Sequence, residues 1–469
     1  MDNGPHFSEA KRKLLEQMRQ AGAGRSLSDS DLNAQARENP LRLSLAQEQV
    51  WRLDQTAGNV SPLHNESITI HRRGPCDPET VQRCLEEIVR RHEIWRTTYQ
   101  EVAGAPTQIV HSTIKFKLDF SDLRSLPESR RETTAIELAT QDAKHRFNLD
   151  EGPLFRARLT TLKDDEHKLF LTAHQSIVDG ITVFDIFPQE LTTLYESYAV
   201  GGVSQMPELP AQFGDFSSGQ RQKLSGRARD EQLAYWQKQL AGPLPILQWP
   251  NDGKRPHRQT YRGAIHAFEF PRELAQSLKE VARRQGATLF MVMLGAFFRL
   301  LHRYSGQDDI VVGTLSPCGR KQIAFQRCMG YFLNPVALRA NIGGNLPLQA
   351  LLRQMREMTL GAISNDDVTL DMIAEHMGIQ VDPSRHPFFT VALSLAPEVA
   401  PLPPGWSMTY MDVESGGARW DLYIEFSDRI ETLLGRAQYN PDLFTERTIA
   451  QTIEDYRQLL EGVAAERDP

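Results

Sequence analysis

The residues best equipped for chemistry stand in one run of seven, His174-Gln175-Ser176-Ile177-Val178-Asp179-Gly180. They bring an imidazole, an amide, a hydroxyl and a carboxylate onto one short stretch of chain. Imidazole is the side chain that titrates between pH 5 and 8, which makes His174 the candidate proton carrier. Gln175 can donate and accept hydrogen bonds but cannot titrate near neutral pH, so it cannot serve as a general base. Ser176 with Asp179 three residues on also matches an ordinary helix N-terminal cap, with Gly180 easing the turn. Taken alone, the run fits the capping reading better than the chemical one. An apolar strand-like run precedes the seven and a helical pattern follows, so their side chains project from a rigid edge.

The elements that must hold this run can be traced in both directions. Before it, alternation predicts strands at 68–70, 95–99 and 108–111 and a strand pair at 155–162 and 168–173 around Asp164-Asp165-Glu166. Helices are expected over 79–91, with Val81, Cys84, Leu85 and Ile88 on one face, over roughly 132–146, and over 182–198. Gly201, Gly202, Pro207 and Pro210 then break the pattern and mark a crossover. Beyond it, strands are expected at 265–270, 310–314, 389–395, 422–426 and 433–439, and helices at 273–284, 288–304, 348–362 and 446–463. Mixed strands and helices in two comparable halves predict an α/β fold in sandwich layers. The expected organisation is a linker with a short helix over 1–40, a first lobe over 41–205 and a second over 206–469.

Composition narrows the function classes. At 469 residues, 40% hydrophobic and 24% charged, the chain can bury two cores. A formal charge of -7 gives no overall attraction to nucleic acid. The richest basic cluster, Lys254, Arg255, His257, Arg258 and Arg262, reads as a solvated loop. Cys76, Cys84, Cys318 and Cys328 have no C-x-x-C spacing, which argues against a disulfide framework or a zinc module. The longest nearly apolar run, 287–298, is too short to span a bilayer, and residues 1–23 lack the apolar centre of a secretory signal. A cytoplasmic protein with no nucleic-acid or membrane partner and no metal site is expected.

Several further motifs occur in a fixed order. Ser44-Leu45-Ala46-Gln47-Glu48-Gln49-Val50-Trp51-Arg52-Leu53 resembles S-x-A-Q-x-x-x-W-x-L, and Arg91-His92-Glu93-Ile94-Trp95-Arg96-Thr97-Thr98-Tyr99 is similar to R-H-E-x-L-R-T-x-F. Gly214-Asp215-Phe216, Asp308-Asp309-Ile310-Val311-Val312-Gly313-Thr314 and Met329-Gly330-Tyr331-Phe332-Leu333-Asn334 follow. His386-Pro387-Phe388-Phe389 and Tyr439-Asn440-Pro441-Asp442-Leu443-Phe444 close the series. Each block is weak alone, but their order from about 41 to 460 resembles the condensation domains of nonribosomal peptide synthetases. Matched to that family, the seven-residue run falls on the H-H-x-x-x-D-G motif, with Gln175 where the family's second histidine is expected.

The resemblance implies a chloramphenicol-acetyltransferase-like fold, two lobes in a V with the active loop in a tunnel between them. It implies amide formation between a donor thioester and the amine of an aminoacyl thioester, both carried on the phosphopantetheine of partner carrier proteins. The domain itself is expected to bind no cofactor, and adjacent synthetase or polyketide synthase domains are the further partners implied. Gln175 is then the catalytic position, His174 and Asp179 hold the loop, and Gly180 keeps the passage open. Arg96 is implied as the partner of Asp179, and Asn334 as support between the lobes. The residues Trp51, Trp95 and Tyr99 read as core packing. The stretches around 64–72 and 403–413 look most like members next to polyketide or fatty-acyl donors. The substitution at 175 leaves a second reading open, a non-condensing module that recruits a tailoring enzyme or carrier protein.

Overall fold

The computed structural model describes residues 41–465, apart from 57–61, 344–345, 397–398, 410–412 and 430–431. The expected linker and helix within 1–40 lie outside the described residues. The first half of the chain contributes β1 (Leu41–Arg42), β2 (Asn65–Arg73), β3 (Thr97–Val102), β4 (Ala105–Val110), β5 (Asp119–Asp122), β6 (Phe155–Lys163) and β7 (Glu166–His174). The second contributes β8 (Ala264–Pro271), β9 (Asp309–Ser316), β10 (Asn334–Asn341), β11 (Val391–Ala396), β12 (Trp406–Thr409), β13 (Leu422–Asp428) and β14 (Thr432–Tyr439). A five-stranded sheet runs β12-β2-β7-β6-β5, a six-stranded sheet runs β10-β9-β11-β13-β14-β8, and β1-β4-β3 form a small third sheet. Helices packed on these sheets make the α/β architecture that the alternating pattern predicts.

Each large sheet has its own core. Helix Pro78–Arg91 starts at Asp77, whose carboxylate accepts from Thr80 N at 2.8 Å, and buries the face carrying Val81, Cys84, Leu85 and Ile88. In the second half, helix Leu289–Ser305 is apolar nearly all round and buried, capped by Thr288 and ended by Gly306 in the left-handed conformation. Among the described residues no single helix is long and apolar enough to cross a membrane. Helices Arg272–Arg284 and Leu289–Ser305 pass such a test only together, across a 102° bend, and both pack into the second core. Gly313 in β9 faces Phe389 so closely that a Cβ would lie 2.1 Å from its ring, which ties the D-D-I-V-V-G-T block to the H-P-F-F block.

Helix Phe213–Lys223, beyond the expected boundary at 205, packs with the core of the first sheet. Phe213 and Phe216 pack there, and Ser217 accepts from Gln108 Nε2 at 2.8 Å. The second half also sends β12 back to the first sheet, where Trp406 pairs with Arg72 and Thr409 with Thr69. Trp406 is held there by Tyr195, ring centroids 5.2 Å apart, by Arg72 over its face at 4.8 Å, and by Glu196, which accepts its indole N–H at 2.7 Å. The predicted strand at 95–99 is a 3-10 turn over Glu93–Arg96 followed by β3. Trp95 is drawn into the core there, between Phe155 and Phe187. Helix Arg227–Gln239 escapes prediction because only Leu233 and Trp236 are buried, too few for an apolar stripe.

Candidate active site at the loop after β7

Loop 174–180 is held from three sides. Strand β7 delivers His174 between β2 and β6, and His174 N donates to Leu154 O at 2.8 Å while Gln175 N donates to His64 O at 2.7 Å. The S-x-A-Q block builds the second support. Ser44 and Gln47 cap helix Leu45–Thr56 reciprocally, Gln47 N to Ser44 Oγ at 3.2 Å and Ser44 N to Gln47 Oε1 at 3.0 Å. That fixes the Gln47 amide so that its Nε2 donates to Ser176 O at 2.9 Å, and Tyr99 Oη donates to the same oxygen at 3.0 Å. Tyr99 is thus core packing with a polar tip turned to the loop.

The third support comes from the other half of the chain. Arg320 grips Asp179 with two parallel bonds, Nε to Oδ2 at 2.9 Å and Nη2 to Oδ1 at 2.7 Å. Both side chains are almost fully buried, at 5% and 0% exposure. Arg320 Nη2 also donates to Thr182 Oγ1 at 3.0 Å, and its Nη1 donates to Phe325 O and Cys328 O at 3.2 and 3.0 Å. Asp179 Oδ1 accepts Thr182 N at 2.7 Å, so Asp179 is the cap of the following helical turn, the role the sequence pattern assigns to Ser176. Gly330 completes the contact: its N–H donates to Thr182 Oγ1 at 3.1 Å. With φ at +155° and Phe213 only 2.1 Å from where a Cβ would stand, no other residue fits there.

The implied Arg96–Asp179 pair is therefore not formed. Arg96 donates to His111 O and lies 3.5 Å from Glu93, tying a turn of the first half. Arg320, missed in the sequence, takes its place. Its neighbours are Gly319, Lys321 and Gln322, so in sequence it reads as part of a polar surface loop. Asn334 does not reach the loop either: its Nδ2 donates to Asp366 O and Val368 O, both at 2.8 Å, stapling the start of β10 to the segment before helix Leu370–Met377. In the basic cluster, Arg255 pairs with Asp421 and Arg262 with Asp442.

Within the seven, five residues are buried and only Gln175 and Gly180 are partly exposed. His174 turns Nδ1 to Ser176 Oγ at 2.8 Å. Backbone N–H groups are already committed: Ser176 N to His174 Nδ1 at 3.3 Å, Ile177 N to His174 O at 3.0 Å and Val178 N to Gln175 O at 3.4 Å. Among the described residues the Gln175 amide makes no hydrogen bond, so from 174 to 178 it is the donor left for a substrate. A Cβ at Gly180 would meet only Phe184, at 3.7 Å, an ordinary contact, and the backbone there has no positive φ.

The R-H-E block builds a second buried knot beneath the loop. Glu190 Oε2 accepts from Arg91 Nε at 3.3 Å and lies 3.0 Å from His92 Nε2, while Met329 N donates to His92 Nδ1 at 3.2 Å. Burial alone would raise the Glu190 carboxyl, but His92 and Arg91 overcome it and hold it below its ordinary 4.5. A depressed carboxylate stabilises the fold above its unfolded pKa, and that contribution is lost as pH falls through the folded value. Urea midpoints measured for the native chain and Glu190→Gln are expected to differ most near neutrality. The gap should narrow as pH falls below about 4.5, the usual glutamate range; a pH-independent gap would rule the carboxylate charge out.

A family model described as Condensation domain matches residues 37–468. The chain belongs to the condensation-domain family. It is similar to a linear gramicidin synthase protein of Brevibacillus parabrevis, 34% identical over 437 residues and 92% of this chain. It is also similar to phosphinothricin tripeptide synthetase PhsC of Streptomyces viridochromogenes, 33% identical over 92% of this chain. The chain spans only 6% and 40% of the length of those relatives. Among solved structures, its fold resembles the X-domain from teicoplanin biosynthesis, TM-score 0.79 at 24% identity, covering 93% of this chain and 97% of that one. It likewise resembles the first condensation domain of the calcium-dependent antibiotic synthetase, TM-score 0.77 at 19% identity, covering 92% and 98%. The α/β architecture and family expected from the ordered motifs are those found.

Proposed function

We propose that this condensation domain joins a carrier-bound acyl, polyketide or peptidyl thioester to the amine of a carrier-bound aminoacyl thioester at the exposed face of Gln175. The amine nitrogen attacks the thioester carbonyl, an amide bond forms, and the donor carbon–sulfur bond breaks. The donor carrier's phosphopantetheine thiol leaves with the proton that the amine gives up. The substrates bring the phosphopantetheine arms, and the domain itself supplies only side chains. In this reading the two arms meet in a V-shaped passage between the lobes, and Gly180 leaves room for them.

The observation that carries the proposal is the completeness of the frame around one free amide. Asp179, Arg320, Thr182, Gln47 and Tyr99 fix the loop, and the partly exposed Gln175 amide makes no hydrogen bond among the described residues. A fixed donor can stabilise the oxyanion of the tetrahedral intermediate or orient the amine. Gln175, which we place at the position of the family's second histidine, cannot remove the proton. An α-amine with pKa near 8 is already partly neutral at pH 7, so positioning, worth up to roughly 7–11 kcal/mol, carries the rate. The test loads donor and acceptor carrier proteins with their thioesters and follows transfer by intact-protein mass spectrometry. Mass moving from donor to acceptor only when the domain is present is the expected result, and no transfer above background sinks the proposal.

The absence of a base at 175 favours a second reading, a silent module that recruits a tailoring enzyme or carrier protein. One structural neighbour is described as a complex of the X-domain and OxyB from teicoplanin biosynthesis. Under this reading the domain binds a loaded carrier or an oxygenase without changing the mass of either thioester.

A further inference from the structure

We infer that Asp54, His64 and His174 form a binding site for one divalent transition-metal ion of the zinc class, seated directly behind loop 174–180. The donor atoms of all three residues lie within 4.8 Å of one another. His64 Nδ1 stands 3.5 Å from Asp54 Oδ1, and His174 Nε2 stands 3.8 Å from the same oxygen. Ligand atoms on a tetrahedral ion at about 2.0–2.1 Å are about 3.4 Å apart. The two separations from Asp54 Oδ1 need only a small contraction to reach that.

A second observation points to a ligand independently of the spacing. His64 and His174 are 1% and 2% exposed. Both nitrogens of His64 and Nε2 of His174 are buried without a hydrogen-bond partner among the described residues. Leaving such groups unsatisfied is costly to the fold. An ion shared by His64 Nδ1, His174 Nε2 and Asp54 Oδ1 satisfies two of the three and leaves only His64 Nε2.

The surrounding groups suit this coordination. His174 Nδ1 faces Ser176, 2.8 Å from its Oγ and 3.3 Å from its N, which leaves Nε2 as the ring nitrogen turned toward Asp54. Arg146 Nη2 lies 3.4 Å from Asp54 Oδ2 and leaves Oδ1 to the imidazoles. Asp54 keeps 14% side-chain exposure and provides the route of entry.

Such an ion would tie the end of helix Leu45–Thr56, the approach to β2 and the last residue of β7 into one point. His64 O already accepts the Gln175 N–H, so the tie sits one residue behind the catalytic position. This departs from the expectation of no metal, because the three ligands are ten and 110 residues apart in sequence and no spacing rule joins them. The inference is independent of whether the domain condenses substrates.

The test uses the whole chain without a histidine tag, stripped with chelator and titrated with Zn²⁺ alone by calorimetry, with thermal unfolding before and after. Co²⁺ is then added to the stripped chain and its visible ligand-field bands are recorded. One equivalent of Zn²⁺, a rise in Tm of several degrees and Co²⁺ bands without thiolate charge transfer are expected. His64→Gln and Asp54→Asn should each lose the equivalent and the Tm rise. No stoichiometric binding by the native chain overturns the inference, and so do a thiolate signature or binding retained in both variants. Should a variant fail to fold, the native chain's stoichiometry and cobalt spectrum decide alone.

Discussion

Arg320→Ala is expected to destabilise the folded chain by about 3–5 kcal/mol, the usual cost of leaving a buried charge without its partner. Asp179 would lose both parallel bonds in a place water does not reach, and Thr182 Oγ1 and the carbonyls of Phe325 and Cys328 would lose their donor. Arg320→Lys should recover only part of the loss, since an ammonium cannot reproduce the planar fork. Urea unfolding of the native chain, Arg320→Ala, Asp179→Ala and the double variant forms a double-mutant cycle. Strong non-additivity is expected, because the two residues act as one unit. A cost below about 1 kcal/mol, typical of exposed pairs, would show that this bond does not hold the loop. Amide formation should fall with stability, because the same bond joins loop 174–180 to the second half of the chain.

The second large effect concerns Gln175. Gln175→His is expected to speed amide formation by about 10²–10⁴-fold, the range ascribed to general acid–base assistance, and to make the rate depend on pH with a midpoint near 6.5. Gln175→Ala removes the last uncommitted donor and should slow transfer relative to the native chain by about tenfold or more, as loss of an oxyanion donor does. The fold should be indifferent to both, since the side chain is partly exposed and makes no hydrogen bond among the described residues. Single-turnover rates for the three chains over pH 6–9 check this. Equal rates for the native and alanine chains would remove the amide from the mechanism, and an inert histidine variant would favour the recruiting role.

The legible part of this protein was the part governed by local periodicity. Helices such as Pro78–Arg91 and Arg272–Arg284 carry strong apolar faces, and β6 and β7 alternate around a polar turn. Some motif blocks were legible for a different reason: they put side chains where these brace the loop, as Gln47 and Tyr99 do on Ser176 O. What escaped depends on contacts between distant stretches. Nothing local points to Arg320 over Arg96 as the partner of Asp179: Arg320 stands between Gly319 and Lys321 and reads as a surface residue. Deciding between them takes the fold, which brings a residue 141 positions away within 2.7 Å. Asp54 and His64 stayed hidden likewise, since only the fold brings them to His174. Glycine and proline near 205 mark a break in the chain, and a break in the chain need not be a break in the core.

Strand β12 bears on how such a protein can be divided. Strand β2 is nine residues long, and β12 covers four of them on its outer side. A cut between the halves would strip that cover and leave a ready template for another chain. Junctions for exchanging this unit between synthetases therefore belong outside the whole span from Leu41 to Ala465. A recombinant that replaced one half alone would have to re-create Trp406 against Tyr195 and Arg320 against Asp179 from two different parents. The unit of inheritance here is the pair of sheets with its crossing strand, larger than either lobe.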